Sequence, residues 1–251
     1  IVLPITTFNT SIKPFISLPK DNIVNNKKFD EFVKKYKKGE YYNNVSILIS
    51  EWATGGDLLD YMKKNYKEFK FKHWQVIFFQ ILSVLAIIQN KYPGFRHNDL
   101  KANNILVNLI AIDKSKNNNF QYKINGQTYI VPNIGFQLKL WDFDFACIPD
   151  IIDNNKVNSD WTNKINVKPE QNRYYDIHYF INTLTKKGFF PHIKDTNIVP
   201  QKIVDFVNRI VPSKFTSGDQ VTERGRILSN EEYFIPDDIL KKDPLFATMR
   251  I

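Results

Sequence analysis

Phe95-Arg96-His97-Asn98-Asp99-Leu100-Lys101-Ala102-Asn103-Asn104-Ile105-Leu106-Val107 links an apolar, helix-like segment to a short aliphatic run. One His, one Asp, one Lys and three Asn crowd between those two apolar flanks. A solvated loop carries such residues too. The spacing separates the two readings: His-x-Asp-Leu-x-x-x-Asn, with Lys101 two positions after Asp99 and Asn104 five after it.

Working outward, the segment Phe71 to Asn90 reads as a helix. Trp74, Ile77, Phe78, Ile81, Leu82, Leu85 and Ile88 are spaced to face a core, and apolar residues spill round most of the circumference. It is expected to be largely buried, with Tyr92-Pro93-Gly94 ending it. Downstream, Ile105 to Ile112 and Phe136 to Trp141 read as strands. Asn125-Gly126, flanked by Gln121 to Ile124 and Thr128 to Val131, is a strong hairpin signal. The second of these strands ends at Asp142-Phe143-Asp144-Phe145-Ala146, and Tyr174-Tyr175-Asp176-Ile177-His178-Tyr179-Phe180 opens an apolar helix. Asp142 alone reads as a strand-end carboxylate capping a turn, and Asp176 as an ordinary first-turn carboxylate.

Upstream, Ile1 to Phe8 reads as an edge or irregular strand because of Pro4, and Ile12 to Asn26 as loop. Phe29, Phe32, Val33 and Tyr36 recur at helical spacing, with lysines late in the helix and Gly39 as its stop. Those lysines read as a solvated face favoured by the helix dipole, or as a phosphate-binding patch. The apolar strand Val45 to Ser50 runs into Glu51-Trp52-Ala53-Thr54-Gly55-Gly56-Asp57-Leu58. Gly-Gly-Asp reads equally as a turn followed by an N-cap for a helix over Leu58 to Lys64.

Taken together, these motifs resemble a eukaryotic-type protein kinase over roughly residues 1 to 246. His97-Asn98-Asp99, Asp142-Phe143-Asp144-Phe145, Tyr174 to Phe180 and the Asn/Lys-rich composition resemble the kinases of large DNA viruses, including poxvirus-type virion kinases. The resemblance implies an α+β, protein-kinase-like fold with a mostly helical C-lobe. It implies an N-lobe truncated near its fourth strand over 1–50, a hinge over 51–58, and a C-lobe over 59–251 with a hairpin inserted at about 113–133. It implies ATP with Mg²⁺ or Mn²⁺ as cofactors and a protein substrate. Catalytic roles fall to Asp99, which orients the attacking hydroxyl and takes its proton, to Lys101 at the γ-phosphate, and to Asn104. Asn104 and Asp142 become the metal ligands, and His97 braces the loop. Glu51 and Ala53 offer backbone groups to adenine, Asp57 reaches the ribose, and Ser50 is a small gatekeeper. Asp176 holds the catalytic loop through its backbone.

Composition sets the outer bounds. With 251 residues, 43% of them hydrophobic, one sizeable core is expected. A net charge of +9 suits acidic partners or simple solubility, and indicates nucleic acid no further than that. Cys147 is the only cysteine, so no intrachain disulfide is possible and a reducing compartment is expected, host cytoplasm or virion on the viral resemblance. Four scattered histidines give no metal-site spacing. The apolar stretch Val76 to Ile88, interrupted by Gln80 and Ser83, is expected to fall short of the ~20 residues that span a bilayer. No signal peptide is evident, and the opening Ile1-Val2-Leu3-Pro4 suggests a fragment or processed product.

Departures from the kinase pattern bear on function. No Gly-rich phosphate loop, strand lysine or partner helix glutamate is visible. Asp144 stands where Gly is usual, adding a carboxylate and restricting the backbone. Lys168-Pro169-Glu170 is the nearest match to Ala-Pro-Glu but lies close to Asp176. The main expectation is a Ser/Thr protein kinase, which Lys101 favours over Tyr specificity. The alternatives are a small-molecule kinase of the choline or aminoglycoside type, and a pseudokinase or virion scaffold protein. Asn98 replaces the arginine that binds an activation-loop phosphate. Phosphatase treatment is therefore expected to leave the transfer rate unchanged, and a rate that follows phosphosite occupancy would contradict this.

Overall fold

The structure, a computed structural model, describes residues 1–20, 26–113 and 118–251. Its contacts divide the chain into a small unit, Val2–Trp52, and a large one, Ala53–Ile251 together with Ile1.

In the small unit, strands β1 (Pro4–Ser11) and β2 (Asn44–Ser50) pair antiparallel, with Thr6 opposite Ile49 and Ser11 opposite Asn44. The register slips between Pro4 and Thr6, where proline lacks the ladder's N–H. The strand begins and ends three residues later than the sequence suggests. A short helix α1 (Lys13–Ile16) replaces part of the expected loop, because Pro14 sits in its first turn, where no N–H is needed. Residues 21–25 of that expected loop lie outside the described residues. Helix α2 (Lys27–Lys37) carries Lys34, Lys35 and Lys37 in its last turn and is followed by Gly39 at φ +74°.

The large unit is built round helix α4 (Phe71–Lys91), which follows α3 (Leu58–Asn65). Taken whole, the 21-residue α4 is long and apolar enough by composition to cross a membrane, which the shorter stretch Val76 to Ile88 is not. Thirteen of its residues are instead buried in the protein's own core. Its interrupting polar groups serve neighbouring backbone: the Gln80 carbonyl accepts from Leu138 N at 2.6 Å, and Gln75 donates to Leu245 O at 2.6 Å. Burial of these amides costs little because each has a partner.

Strands β3 (Ile105–Leu109) and β6 (Phe136–Leu140) form an antiparallel ribbon with Ile105 opposite Leu140. β3 stops short of Ile112 because its partner turns at Gly135, at φ +90°; Ile110 N to Gly135 O is the last in-register hydrogen bond of the ribbon. Between them lies the hairpin β4 (Asn119–Ile124) and β5 (Gln127–Pro132). Asn125 and Gly126 take φ +46° and +86°, as a tight two-residue turn requires. The hairpin packs on the core: Tyr129 and Tyr122 meet Phe79 edge-on at 5.2 and 5.3 Å. Asn125 Nδ2 ties it to Ala86 O and to Asp237. The polar residues 114–117 before it lie outside the described residues.

The remaining helices are α5 (Asp160–Lys164), α6 (Tyr175–Leu184), α7 (Gln201–Ile210) and α8 (Pro236–Lys242). Every residue of α6 is buried, polar ones included. Among them His178 faces Phe215 O at 2.8 Å, and burial holds its imidazole down at about 4 from the usual 6.5. The unfolded chain thus takes up a proton that the folded one refuses. Stability present above pH 6.5 is lost as pH falls toward 4, by up to about 3 kcal/mol. Urea unfolding of the protein and of His178→Gln between pH 7 and 4.5 is expected to show a flatter pH dependence in the variant.

Candidate active site

The loop between α4 and β3 is shaped by its anchors. Arg96 N donates to Cys147 O and Cys147 N to Arg96 O, at 3.1 and 3.0 Å. This two-residue ladder fastens the loop to the segment that follows Asp142. Beyond it the backbone N–H groups of His97 and Asn98 both point at one carboxylate: Asp176 accepts them at 2.7 and 3.0 Å. Asp176 is wholly buried in the first turn of α6. Burial pushes its carboxyl up from the ordinary carboxylate range, while His97, Arg96 and the two N–H donors pull it down.

Asn98 takes φ +63°, a conformation asparagine tolerates better than most residues. This points its amide at the segment after β6, where Nδ2 donates to Phe145 O at 3.0 Å and Lys168 O at 3.3 Å. The buried Arg96 does similar work: it donates to Asn166 O at 2.6 Å and Glu170 O at 3.2 Å, with its guanidinium 3.7 Å from the Tyr175 ring centre. His97 lies inward, with Nε2 3.0 Å from Trp141 O and its ring beside Phe143.

The sequence-predicted residues Asp99, Lys101 and Asn104 converge. Asp99 Oδ2 accepts from Lys101 Nζ at 2.6 Å and from Asn104 Nδ2 at 3.0 Å. Asn104 Nδ2 also reaches Asp99 O at 2.9 Å, folding a short 3-10 turn over Ala102–Asn104. Asn103 stands beside them in that turn and makes no side-chain hydrogen bond to a described residue. Asp142 joins the group through the backbone before it: Trp141 N donates to Asn104 O at 3.2 Å while Trp141 O faces His97. Asp142 itself is exposed, at φ +63°. Among the described residues its carboxylate has no hydrogen-bond or ion-pair partner. Asp144 pairs with Lys156, so the added carboxylate is engaged twelve residues downstream.

The other predicted residues sit in the chain as follows. Glu51 belongs to the small unit, where its N–H donates to Leu3 O at 3.0 Å and its carboxylate accepts from Leu3 N at 2.7 Å. Ala53 and Asp57 belong to the large unit. Ala53 is buried, and Asp57 caps α3, accepting from Asp60 N at 3.0 Å. The cap is thus realised, with the second carboxylate oxygen left over. Gly55 has a packing role as well: a Cβ there would lie 2.8 Å from Val107.

One residue of the site escaped sequence reasoning. Arg226, from the irregular stretch after α7, donates to Asp99 Oδ1 at 2.5 Å and lies 4.3 Å from the Tyr179 ring centre. No local signal marks it, since it sits 127 positions from Asp99 in a segment with no periodicity.

Removal of the Asp176 carboxylate leaves two buried N–H groups without an acceptor. Asp176→Ala is expected to cost about 3 kcal/mol in urea unfolding, with hydrogen exchange rising first at His97 and Asn98.

Comparisons with known proteins give the chain its relatives. A protein of Acanthamoeba polyphaga mimivirus with a provisional serine/threonine-protein kinase name is 48% identical over 261 residues, covering 100% of this chain and 55% of that protein. Serine/threonine-protein kinase 2 of Monkeypox virus is 31% identical over 185 residues, 69% of this chain and 37% of its own length. Its counterpart in Fowlpox virus is 28% identical over 180 residues, again 69% and 37%. The chain thus spans about half the length, or less, of these relatives. The profile of the family described as poxvirus serine/threonine protein kinase matches residues 14–241, and the chain belongs to that family.

Proposed function

We propose that the protein containing this chain transfers the γ-phosphoryl group of ATP to serine or threonine hydroxyls of protein substrates. The observation that carries this reading is the convergence on Asp99 of Lys101 and Asn104, with Asp142 joined to them through Trp141. Phosphoryl transfer asks for positioned charge rather than covalent help. The acceptor oxygen attacks the γ-phosphorus, the bond to the bridging oxygen of ADP breaks, and the hydroxyl proton passes to Asp99. Lys101, a partly exposed cation beside that carboxylate, can turn to the γ-phosphate and offset the charge there.

The donor set fits a divalent cation. Asp142 offers a carboxylate without a partner among the described residues, and Asn104 spends its amide nitrogen on Asp99, which keeps its carbonyl oxygen available. Mg²⁺ or Mn²⁺ held by these two oxygens and by nucleotide phosphates would supply charge neutralisation. Glu51 and Ala53 are proposed to meet adenine through their backbones, and Asp57 the ribose through the carboxylate oxygen its helix cap leaves over. Residues 1–50 are proposed as the end of an N-lobe, 51–58 as hinge and 59–251 as C-lobe with its insert at about 113–133. Host cytoplasm or virion is the proposed location, on the viral relatives and the single buried thiol.

The full-length protein, supplied with radiolabelled ATP and Mg²⁺, is expected to label a Ser-rich basic protein and neither a Tyr substrate nor choline. Asp99→Asn and Asp142→Ala are each expected to lower the rate by about 10²-fold or more. Nucleotide binding without transfer to any acceptor would overturn the kinase reading and favour a scaffold.

A further inference from the structure

The Asp99 carboxylate offers about four lone-pair sites to hydrogen-bond donors. Three are taken. Among the described residues, Oδ2 carries Lys101 and Asn104, which fill its two sites, while Oδ1 carries Arg226 alone. The one open site is therefore on Oδ1, and its direction is set by where the guanidinium lies.

The two cations differ in freedom. The Lys101 side chain is 28% exposed, and it ends a flexible stem. The Arg226 side chain is 6% exposed and is stacked on Tyr179. Asp99 is the one hydrogen-bond acceptor of this guanidinium among the described residues, since the buried Nε finds none. Tyr179 lies one turn after Asp176 on α6, so the two share a helix face. One face of α6 thereby holds the loop backbone directly and the Asp99 carboxylate through Arg226.

We propose that Arg226 is a positioning residue for the phosphoryl-transfer step. It fixes Asp99 so that Oδ1 presents its remaining lone pair to the acceptor hydroxyl, and it keeps the carboxylate in place when Lys101 turns to the γ-phosphate. This role rests on the kinase reading above. Arg226 acts through Asp99, so its loss is expected to act on turnover rather than on nucleotide affinity.

The test compares Arg226→Ala and Arg226→Lys with the unaltered full-length protein, measuring kcat, KM for ATP, direct nucleotide binding and thermal unfolding. In Arg226→Ala a freed carboxylate is expected to lower kcat by about 10²-fold, with KM for ATP and nucleotide affinity held within about twofold. Millimolar guanidinium, occupying the vacated space on Tyr179, is expected to restore part of that kcat and to restore none in Asp99→Asn. Arg226→Lys, which retains the charge with poorer direction, is expected to fall between, and it carries the comparison if the alanine variant fails to fold. A kcat within about threefold of the unaltered protein in both variants would overturn the proposal. So would a loss that guanidinium leaves untouched and that follows thermal destabilisation in both variants. An unaltered protein that transfers no phosphate sinks the kinase reading and this role with it, whereas transfer that ignores Arg226 sinks this role alone.

Discussion

A single buried carboxylate organises the site. Asp176 is a carboxyl group in the protein interior, a placement that costs several kcal/mol unless donors surround it. The donors it has are the N–H groups of His97 and Asn98, two consecutive residues of a loop that makes no regular ladder of its own. The exchange is mutual. The loop's backbone is satisfied in a position where no strand could satisfy it, and the buried carboxyl of α6 finds the donors that its apolar surroundings lack. The consequence for chemistry is that Asp99, one residue further on, starts from a fixed backbone.

The segment from Asp142 to Glu170 depends on that same loop. It is gripped at both ends by side chains that precede Asp99: Asn98 reaches Phe145 O and Lys168 O, and Arg96 reaches Asn166 O and Glu170 O. All four acceptors are backbone carbonyls, present whatever the modification state of the chain. Asn98 can do this because its φ of +63° turns the side chain away from Asp99, and arginine is a less comfortable occupant of that conformation. The substitution read from sequence as the loss of a phosphate-binding residue is thus also the gain of a direct strap.

The hydrophobic periodicity of α4, the Asn-Gly turn and the strand ending at Asp142 were legible because each is local. Apolar residues at helical spacing, φ-tolerant residues in a two-residue turn and alternation along a strand are consequences of backbone geometry over a few residues. The burial expected of α4 is found as well, in thirteen of its residues. The reading failed where distant contacts decide. Leu109 ends β3 because the distant partner strand turns away at Gly135, one in-register hydrogen bond further on.

The sequence by itself determined which chemical groups are present and their local spacing: Asp99, Lys101 and Asn104 within one short loop, Asp142 at a strand end, Asp176 at a helix start. Local spacing suffices for these because a short loop leaves side chains two and five residues apart few places to go. Only the tertiary structure decided how the Asp99 carboxylate is held. Arg226 reaches it from 127 positions away, across a loop of closure length that no periodicity encodes. Its place follows from Tyr179 and the path of the segment after α7, and these are set by packing of the whole large unit.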